Sequence, residues 1–328
     1  MNVLITGGAG FIGSHLAAHH LELNDSVYVV DDFSAGRMEN INPFLSNPNF
    51  KFEKADLCHW QNINNAVAWA DRIYHMAAIV GVKKVLLDPK AVISSNLGAT
   101  EKLFNAISEV KPTVRTLLAS TSEVYGFNSK ECFSEDDDLV FRSTNPVRWC
   151  YAVTKLADEH IALAYHHQSS MNVVVSRIFN SIGPNQTNRY GWVVPTFIKQ
   201  ALANQPLTVY GDGTQTRSFC DVRDTALALE QITSSDIESG EIVNIGRDEE
   251  ISILDLAKLI ISRTNSKSSI KFVPYLEAYG IEFEDIAHRR PVLDKLYKYT
   301  GFEFKWNLIN TIDNLIKLEL DATNNPTR

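Results

Sequence analysis

The sequence has few cysteines, and their spacing suggests neither a metal centre nor a disulfide framework. The chain has 328 residues and four cysteines, Cys58, Cys132, Cys150 and Cys220, none of which forms a CxxC pair. Zinc sites usually need such close spacing, and small disulfide-stabilised domains are much denser in cysteine. We therefore predict no metal site and expect the thiols to be buried or to have no functional role.

Long apolar runs and basic tracts are also missing. No apolar run approaches the ~18 residues of a membrane helix, and Met1 leads directly into a strand-like segment without a signal-peptide pattern. The 39 acidic residues outnumber the 31 basic ones, which gives a net charge of -8. These absences predict a cytoplasmic protein that binds neither membranes nor nucleic acid.

The chain does contain a regular alternation of short β-rich runs and helical patterns. With 45% apolar residues it can fill a core, and its length suits about two domains of roughly 150 residues. Segments with apolar residues at helical spacing separate the runs. The β-rich runs of the first half are NVLITG, SVYVVDD, FKFEKADL, RIYHMAA, VRTLLAS and NVVVSRIFN. This alternation predicts an α/β fold with a doubly wound parallel sheet and helices on both faces.

A glycine pattern between the first strand and the first helix predicts a phosphate cradle. Gly8-x-Gly10-x-x-Gly13 permits a tight turn and brings backbone N–H groups close to a pyrophosphate at the helix N-terminus. Asp31 ends the second strand, where an acid can accept hydrogen bonds from both hydroxyls of an adenine ribose. This favours NAD over NADP, although Arg37 could still bind the 2′-phosphate of NADP. The predicted cofactor-binding residues are Gly7, Gly10, Phe11, Ile12, Gly13, Asp31, Asp32, Asp56, Leu57, Ala77, Ala78, Tyr151 and Lys155.

The composition of the sequence changes after Asn180, where Gly, Pro, Asn and Thr become frequent. Long loops in this position usually carry binding residues. We therefore predict an NAD-binding Rossmann domain over residues 1–178, with a strand and helix returning to it around 215–246. A smaller α/β substrate-binding lobe is predicted mainly over residues 179–328.

Tyr151 and Lys155 form the strongest catalytic candidate. They are four residues apart at the start of a helical stretch and so lie on one face. A neighbouring ammonium and a positively charged cofactor ring both favour the phenolate, which makes Tyr151 a plausible base for a sugar hydroxyl. A lone YxxxK pair is common on surface helices, but here the glycine turn and a Ser/Thr run at a strand end accompany it.

Taken together, these motifs resemble the extended short-chain dehydrogenase/reductase family of nucleotide-sugar enzymes. The residues that carry the resemblance are TGGAGFIG, HMAA, STSEVYG, YAVTK, RIFNSIGP, LTVYGDGTQTRSFCDVRD and EIVNIG, in family order over nearly the whole chain. The resemblance implies oxidation of a nucleoside-diphosphate sugar at C4, with Tyr151 taking the hydroxyl proton and Lys155 holding the nicotinamide ribose. Thr121 occupies the position of the hydroxyl partner to the sugar. Substrate contacts are implied for Arg148, Asn180, Lys199, Arg217 and Arg289.

Ser122 and Glu123 bear on the fate of the sugar once C4 is oxidised. A C4 ketone permits epimerisation, elimination of the C6 hydroxyl, or loss of a C6 carboxylate. Elimination needs a proton donor for the departing hydroxyl. Relatives that resemble 4,6-dehydratases have an Asp-Glu pair here, and Ser122 replaces the Asp in this chain. Glu123 argues mildly against a plain 4-epimerase, because epimerases of the family usually carry small residues there.

STSEVYG resembles the form found in UDP-glucuronate decarboxylases. Arg148 and Arg289 are similar to arginines around the uronate carboxylate in the aminoarabinose-pathway decarboxylase. The specific hypothesis is UDP-glucuronate decarboxylation, with Arg148 or Arg289 orienting the carboxylate and Glu123 or Arg289 near C5. The alternatives are a UDP-sugar 4-epimerase, a 4,6-dehydratase and a non-catalytic NAD-binding sensor, the last disfavoured because Tyr151 and Lys155 are both kept. The resemblance also implies a homodimer.

Overall fold

The computed structural model describes residues 1–144, 147–187, 192–279 and 286–324. Its strands are β1 (Asn2–Thr6), β2 (Ser26–Asp31), β3 (Phe50–Lys54), β4 (Arg72–His75), β5 (Arg115–Thr121), β6 (Val173–Ile178), β7 (Ser181–Ile182), β8 (Leu207–Tyr210), β9 (Thr216–Ser218), β10 (Cys220–Asp221), β11 (Ile242–Ile245), β12 (Glu250–Ser252) and β13 (Ile270–Val273). Its helices are α1 (Phe11–Glu22), α2 (Ile63–Trp69), α3 (Val82–Leu87), α4 (Pro89–Val110), α5 (Cys150–Ser169), α6 (Val193–Leu202), α7 (Val222–Ser234), α8 (Ile253–Arg263), α9 (Tyr275–Tyr279), α10 (Asp294–Thr300) and α11 (Leu308–Asn324).

The main sheet has seven parallel strands in the order β11-β6-β5-β4-β1-β2-β3. The six β-rich runs predicted in the first half of the sequence form six of these strands. The strand order reverses between β1 and β4, which is the usual place for a ligand crevice in a doubly wound sheet. The predicted fold class is confirmed.

Apolar cores cover both faces of this sheet. Leu4 of β1 packs in one core with side chains of α2 and α4, whereas its neighbours Val3 and Ile5 pack in the other with α1, α7 and α10. This split follows from the two-residue period of a strand, which sends successive side chains to opposite faces. The sheet is therefore shielded from water on both sides, and its carboxyl edge is where a ligand can enter.

The second half of the chain builds a third apolar core and also adds a strand and a helix to the main sheet. α6, α8 and α11 pack with β8 and other residues in a third core that includes Phe197, Leu256 and Ile312. β11 instead pairs with β6 in the main sheet, and α7 packs against it. The proposed boundary at residues 178 and 179 remains a prediction. Among the described residues, no helix combines the length and apolar character that crossing a membrane requires.

Candidate active site

A cavity of about 470 Å³ opens at the carboxyl edge of the main sheet. It extends from the glycine turn after β1 to Arg289 in the second half of the chain. Its position at the strand-order reversal is that of ligand crevices in open α/β sheets. The predicted residues that line it are Gly7, Gly10, Phe11, Ile12, Gly13, Asp31, Asp32, Asp56, Leu57, Ala77, Ala78, Thr121, Ser122, Glu123, Arg148, Tyr151, Asn180 and Arg289.

The glycine turn is too tight for side chains at two positions. Gly7 has φ +70°, and a Cβ there would lie 2.6 Å from the backbone N of Ala77. A Cβ on Gly13 would lie 2.4 Å from the carbonyl oxygen of Gly7. The first turn of α1 therefore sits directly against the turn after β1, and Phe11, Ile12 and Gly13 of this turn line the cavity. A pyrophosphate fits this arrangement.

Asp31 is held firmly at the end of β2. Its Oδ2 accepts a hydrogen bond from the backbone N of Ala9 at 3.0 Å, and its Oδ1 accepts one from the backbone N of Phe33 at 2.8 Å. Burial raises the pKa of this carboxyl, and the two backbone hydrogen bonds oppose that effect. Arg37 donates to Asn40 Oδ1 and to the carbonyl oxygen of Asn185, each at 3.2 Å. A carboxylate fixed in this way suits ribose hydroxyls.

Tyr151 lies in the first turn of α5 and faces the cavity. Burial raises the pKa of its phenol, and the negative charge of Glu123 raises it further. A hydrogen bond with the Thr121 side chain lowers it, Asp158 raises it and Arg289 lowers it. In the protein alone the phenol therefore stays protonated. It needs additional positive charge before it can act as a base at neutral pH.

Lys155 lies one turn beyond Tyr151, and its ammonium is paired with an acid of the same helix. Its Nζ is 2.9 Å from Asp158 Oδ2, and the two side chains are 2% and 1% exposed. Lys155 is not among the described residues that line the cavity. Sequence reasoning missed Asp158, although an acid three residues after a lysine on one helix is a readable signal.

Charged side chains from distant segments meet beside Tyr151. Arg289 Nη2 lies 3.6 Å from Glu123 Oε1, and Arg289 Nη1 donates to Asn180 Oδ1 at 3.3 Å. The backbone of Arg289 is fixed because its carbonyl oxygen accepts a hydrogen bond from Ser218 Oγ at 3.0 Å. Arg148 lines the same cavity, with its guanidinium 4.4 Å from the centre of the Trp149 ring. Glu123 and Arg289 thus act on the phenol with opposite charges, and Arg148 adds a second cation to the cavity.

Two predicted substrate contacts lie elsewhere. Lys199 on α6 is directed toward α11, where its Nζ is 3.4 Å from Glu319 Oε1. Arg217 is buried, and its Nη1 donates to the carbonyl oxygens of Thr216 and Ile286 at 2.7 and 2.8 Å. Neither is among the described residues lining the cavity. Their proposed roles in binding the diphosphate and nucleoside remain predictions.

The cavity also includes residues that sequence reasoning missed. Asn96 of α4 is buried, and its Oδ1 accepts from the backbone N of Ile79 while its Nδ2 donates to Thr154 Oγ1. It thereby ties the loop after β4 to α5. Phe179 and Trp192 add aromatic surface. A polar residue within an apolar helix face was the signal for Asn96, whereas the aromatic residues had none.

Comparisons with known proteins agree with this geometry. The model of the family described as GDP-mannose 4,6 dehydratase matches residues 4–312. A UDP-N-acetyl-alpha-D-glucosaminuronate decarboxylase of Bacillus cytotoxicus is 37% identical over 91% of this chain and 91% of its own length. UDP-glucuronic acid decarboxylase 2 of Arabidopsis thaliana is 34% identical over 97% of this chain and 68% of its own length.

A solved structure is similar over almost the whole fold. The UDP-glucuronic acid 4-epimerase of Bacillus cereus, in complex with UDP-glucuronic acid and NAD, superposes with a TM-score of 0.86 at 28% identity. The match covers 97% of this chain and 100% of that one. The curated relatives and this neighbour therefore include enzymes named for two different reactions of the sugar, decarboxylation and 4-epimerisation.

Proposed function

Because the chain belongs to the extended short-chain dehydrogenase/reductase family of nucleotide-sugar enzymes, we propose that it is an NAD-dependent decarboxylase of UDP-linked uronic acids. UDP-glucuronate is the specific substrate proposed. The observation that carries the proposal is that Arg148 and Arg289 line the same cavity as Tyr151. Guanidinium groups are well suited to hold a sugar carboxylate next to the reacting carbons. The two curated relatives, both named as UDP-uronate decarboxylases, support the same choice.

The part of the cavity beside the glycine turn and Asp31, called the cofactor half below, fits NAD. The glycine turn and the N-terminus of α1 would hold the pyrophosphate, and Asp31 would accept the adenine-ribose hydroxyls. When bound, NAD supplies the oxidant by accepting hydride from C4 of the sugar. Ala77 and Ala78, which line the cavity after β4, leave room for the nicotinamide side.

In the oxidation step Tyr151 removes the proton of the C4 hydroxyl, and Thr121 shares that proton network. Cationic groups must lower the pKa of the phenol for this to happen near neutral pH, since burial and Glu123 raise it. Lys155 is the nearest such group along the helix, four residues away.

In the decarboxylation step the resulting β-keto acid needs little further help. The bond from C5 to the carboxylate carbon breaks, its electron pair forms an enolate with the C4 ketone, and a proton then adds at C5. Arg148 and Arg289 orient the carboxylate for this step. Glu123 or Arg289, whose charged groups are 3.6 Å apart, would lie near C5. Ser122 supplies no carboxylic acid for a departing C6 hydroxyl, so dehydration is disfavoured.

The experiment is a product assay by NMR after incubation with NAD and UDP-glucuronate, with UDP-N-acetylglucosaminuronate and UDP-glucose in parallel. We expect CO2 and a UDP-pentose or its 4-keto form from a uronate, and no C4 epimer from UDP-glucose. Recovery of UDP-galacturonate with the carboxylate intact would replace decarboxylation by 4-epimerisation, the second candidate, which the Bacillus cereus neighbour favours. Sugar nucleotides that are all recovered unchanged, with the same NAD absorbance in the parent and in Tyr151→Phe, would instead favour a sensor.

We also propose a homodimer that pairs through α4 and α5. These helices pack against each other, yet Ile93 of α4 and Val153 of α5 remain 39% and 48% exposed. A second copy would bury these apolar side chains. Light scattering of the 36.8 kDa chain tests the proposal: a mass of twice one chain is expected, and Val153→Glu should reduce it to one. A single-chain mass for the unaltered protein would refute the dimer.

A further inference from the structure

The Lys155 ammonium has an anionic partner that the proposed mechanism does not use. Lys155 and Asp158 form an ion pair with Nζ and Oδ2 2.9 Å apart, and their side chains are 2% and 1% exposed. Such a pair attracts much more strongly than one at the surface, because little water screens it. At the distance of the cavity the two opposite charges largely cancel.

The second oxygen of Asp158 is left without a partner. Within the described residues, Asp158 Oδ1 is buried and accepts no hydrogen bond. Buried carboxylate oxygens nearly always have donors, since removing them from water is costly. Lys155 is the one side chain of the described structure that compensates this carboxylate. The ammonium is therefore strongly held by Asp158, and Lys155 is not among the described residues that line the cavity.

We propose that Asp158 is a positioning residue that holds the Lys155 ammonium away from the cavity and shields Tyr151 from its positive charge. The proposal rests on the proposed function only in taking Tyr151 as the base. A hydroxyl of a bound cofactor or sugar that accepts from Lys155 Nζ would compete with Asp158 and bring the positive charge back toward the phenol. The base would then become active only when the cavity is filled.

Other charged groups also face the phenol and must be separated from this effect. Glu123 after β5 raises the pKa of Tyr151, and Arg289 lowers it. Arg148 lines the same cavity. On the β4 side, His75 is buried and its pKa is lowered to about 3, first by burial and then by Lys155, so it stays neutral. Asp158 thus differs from these groups in acting both directly and through the lysine.

The first experiment follows the phenol in the cofactor-free protein. Tyrosine labelled with ¹³C at Cζ is titrated by NMR, and the Tyr151 resonance is identified by its loss in Tyr151→Phe. The phenol of Asp158→Asn should begin to lose its proton at a lower pH than that of the parent, while both proteins are still folded, because a negative charge has been removed and the ammonium released. An unchanged or higher titration point would overturn the proposal. Asp158→Ser is the second variant should the first fail to fold.

Asp224→Asn is the matched control. Asp224 on α7 is also 1% exposed, and its oxygens accept from the backbone N of Lys305 and of Trp306. This variant removes an equally buried carboxylate that is not among the described residues lining the cavity or acting on the phenol, so the Tyr151 titration should not move. A shift as large as that in Asp158→Asn would attribute the effect to general loosening and would sink the proposal.

The second experiment measures kcat/KM against pH for the NAD-loaded enzyme. The acid limb of Asp158→Asn should move down by up to about one unit, which gives up to roughly tenfold faster turnover below the limb. A limb that stays in place or moves up would contradict the proposal. If none of the sugar nucleotides reacts, the proposed function fails, while the titration of the cofactor-free protein still decides the role of Asp158.

Discussion

The two halves of the cavity are built in different ways. The cofactor half is made largely of short segments that follow β1, β2 and β4, and two backbone hydrogen bonds hold Asp31 in place. The substrate half is made of charged side chains from segments far apart in the chain, including Glu123, Arg148 and Arg289. A half made of backbone is set by tight local geometry, whereas a half made of long side chains can change its chemistry by single substitutions.

Tyr151→Phe acts where the two halves meet and should have the largest effect. Loss of the base should lower turnover about 10²- to 10⁴-fold, while NAD affinity measured by calorimetry stays the same. Tyr165→Phe is the control, because Tyr165 lies on the same helix and its hydroxyl bonds to Asn105 away from the cavity. Nearly full turnover in Tyr151→Phe would remove the phenol from the mechanism.

Arg289→Gln should damage only the substrate half. Loss of a charged hydrogen-bond donor to the carboxylate should lower kcat/KM for UDP-glucuronate about 10- to 100-fold, with NAD affinity unchanged. The control is the adjacent Arg290→Gln, since Arg290 is 37% exposed and its Nε lies 4.0 Å from Glu250. Equal losses in the two variants would indicate a general effect of the segment and not carboxylate binding.

Gly13→Ala should damage only the cofactor half. The new Cβ would lie 2.4 Å from the carbonyl oxygen of Gly7, so the turn must shift and NAD affinity should fall roughly tenfold. At saturating NAD, KM for the sugar nucleotide should be unchanged. Gly98→Ala on α4 is the control, because its Cβ would meet a side chain, Cys58 Sγ, at 3.2 Å. Unaltered NAD affinity in Gly13→Ala would contradict the proposed cradle.

Substitution of His75, the buried last residue of β4 beside the cofactor half, should have the smallest effect, and this effect is on stability. It bonds to Thr6 Oγ1 at 2.8 Å and Thr100 Oγ1 at 3.0 Å, and burial lowers its pKa to about 3. The folded protein therefore keeps His75 neutral, while the unfolded chain takes up a proton below about pH 6.5. His75 should lower the free energy of unfolding as the pH falls from about 6.5 toward 3, by up to ~1.4 kcal/mol per pH unit.

The measurement is urea unfolding of the parent and of His75→Gln at pH 7 and 5.5. The stability advantage of the parent over the variant should shrink by about 1 kcal/mol between these values. An advantage that is constant over this range would mean that His75 is protonated in the folded protein as well.

The sequence alone predicted the cofactor half better than the substrate half. Glycine spacing and Asp31 are local signals, and the structure brings all eleven of the predicted turn and strand-end residues from Gly7 to Ala78 to the cavity. The predicted sheet is confirmed because alternating apolar runs encode burial on both faces. These features depend on short-range backbone geometry, which a sequence shows directly.

The features that could not be predicted depend on which way a long side chain turns. The motifs predict ligand contacts for Lys199 and Lys155, which stay predictions, but they do not indicate that these ammonium groups pair with Glu319 and Asp158. Flexible amines follow their closest opposite charge, and that partner is set by tertiary packing. Asn96 was missed for a similar reason, since its two partners lie on other elements.

The pairing of β11 with β6 has a consequence for how the chain matures. Ile242–Ile245 completes the sheet that Val173–Ile178 would otherwise leave open at one edge. During synthesis on the ribosome, about seventy residues must therefore emerge after β6 before that edge is covered. A polypeptide cut near residue 180 would lack β11, α7 and α10 and expose the apolar face that they cover, so we expect the nucleotide-binding part to self-associate when it is made alone.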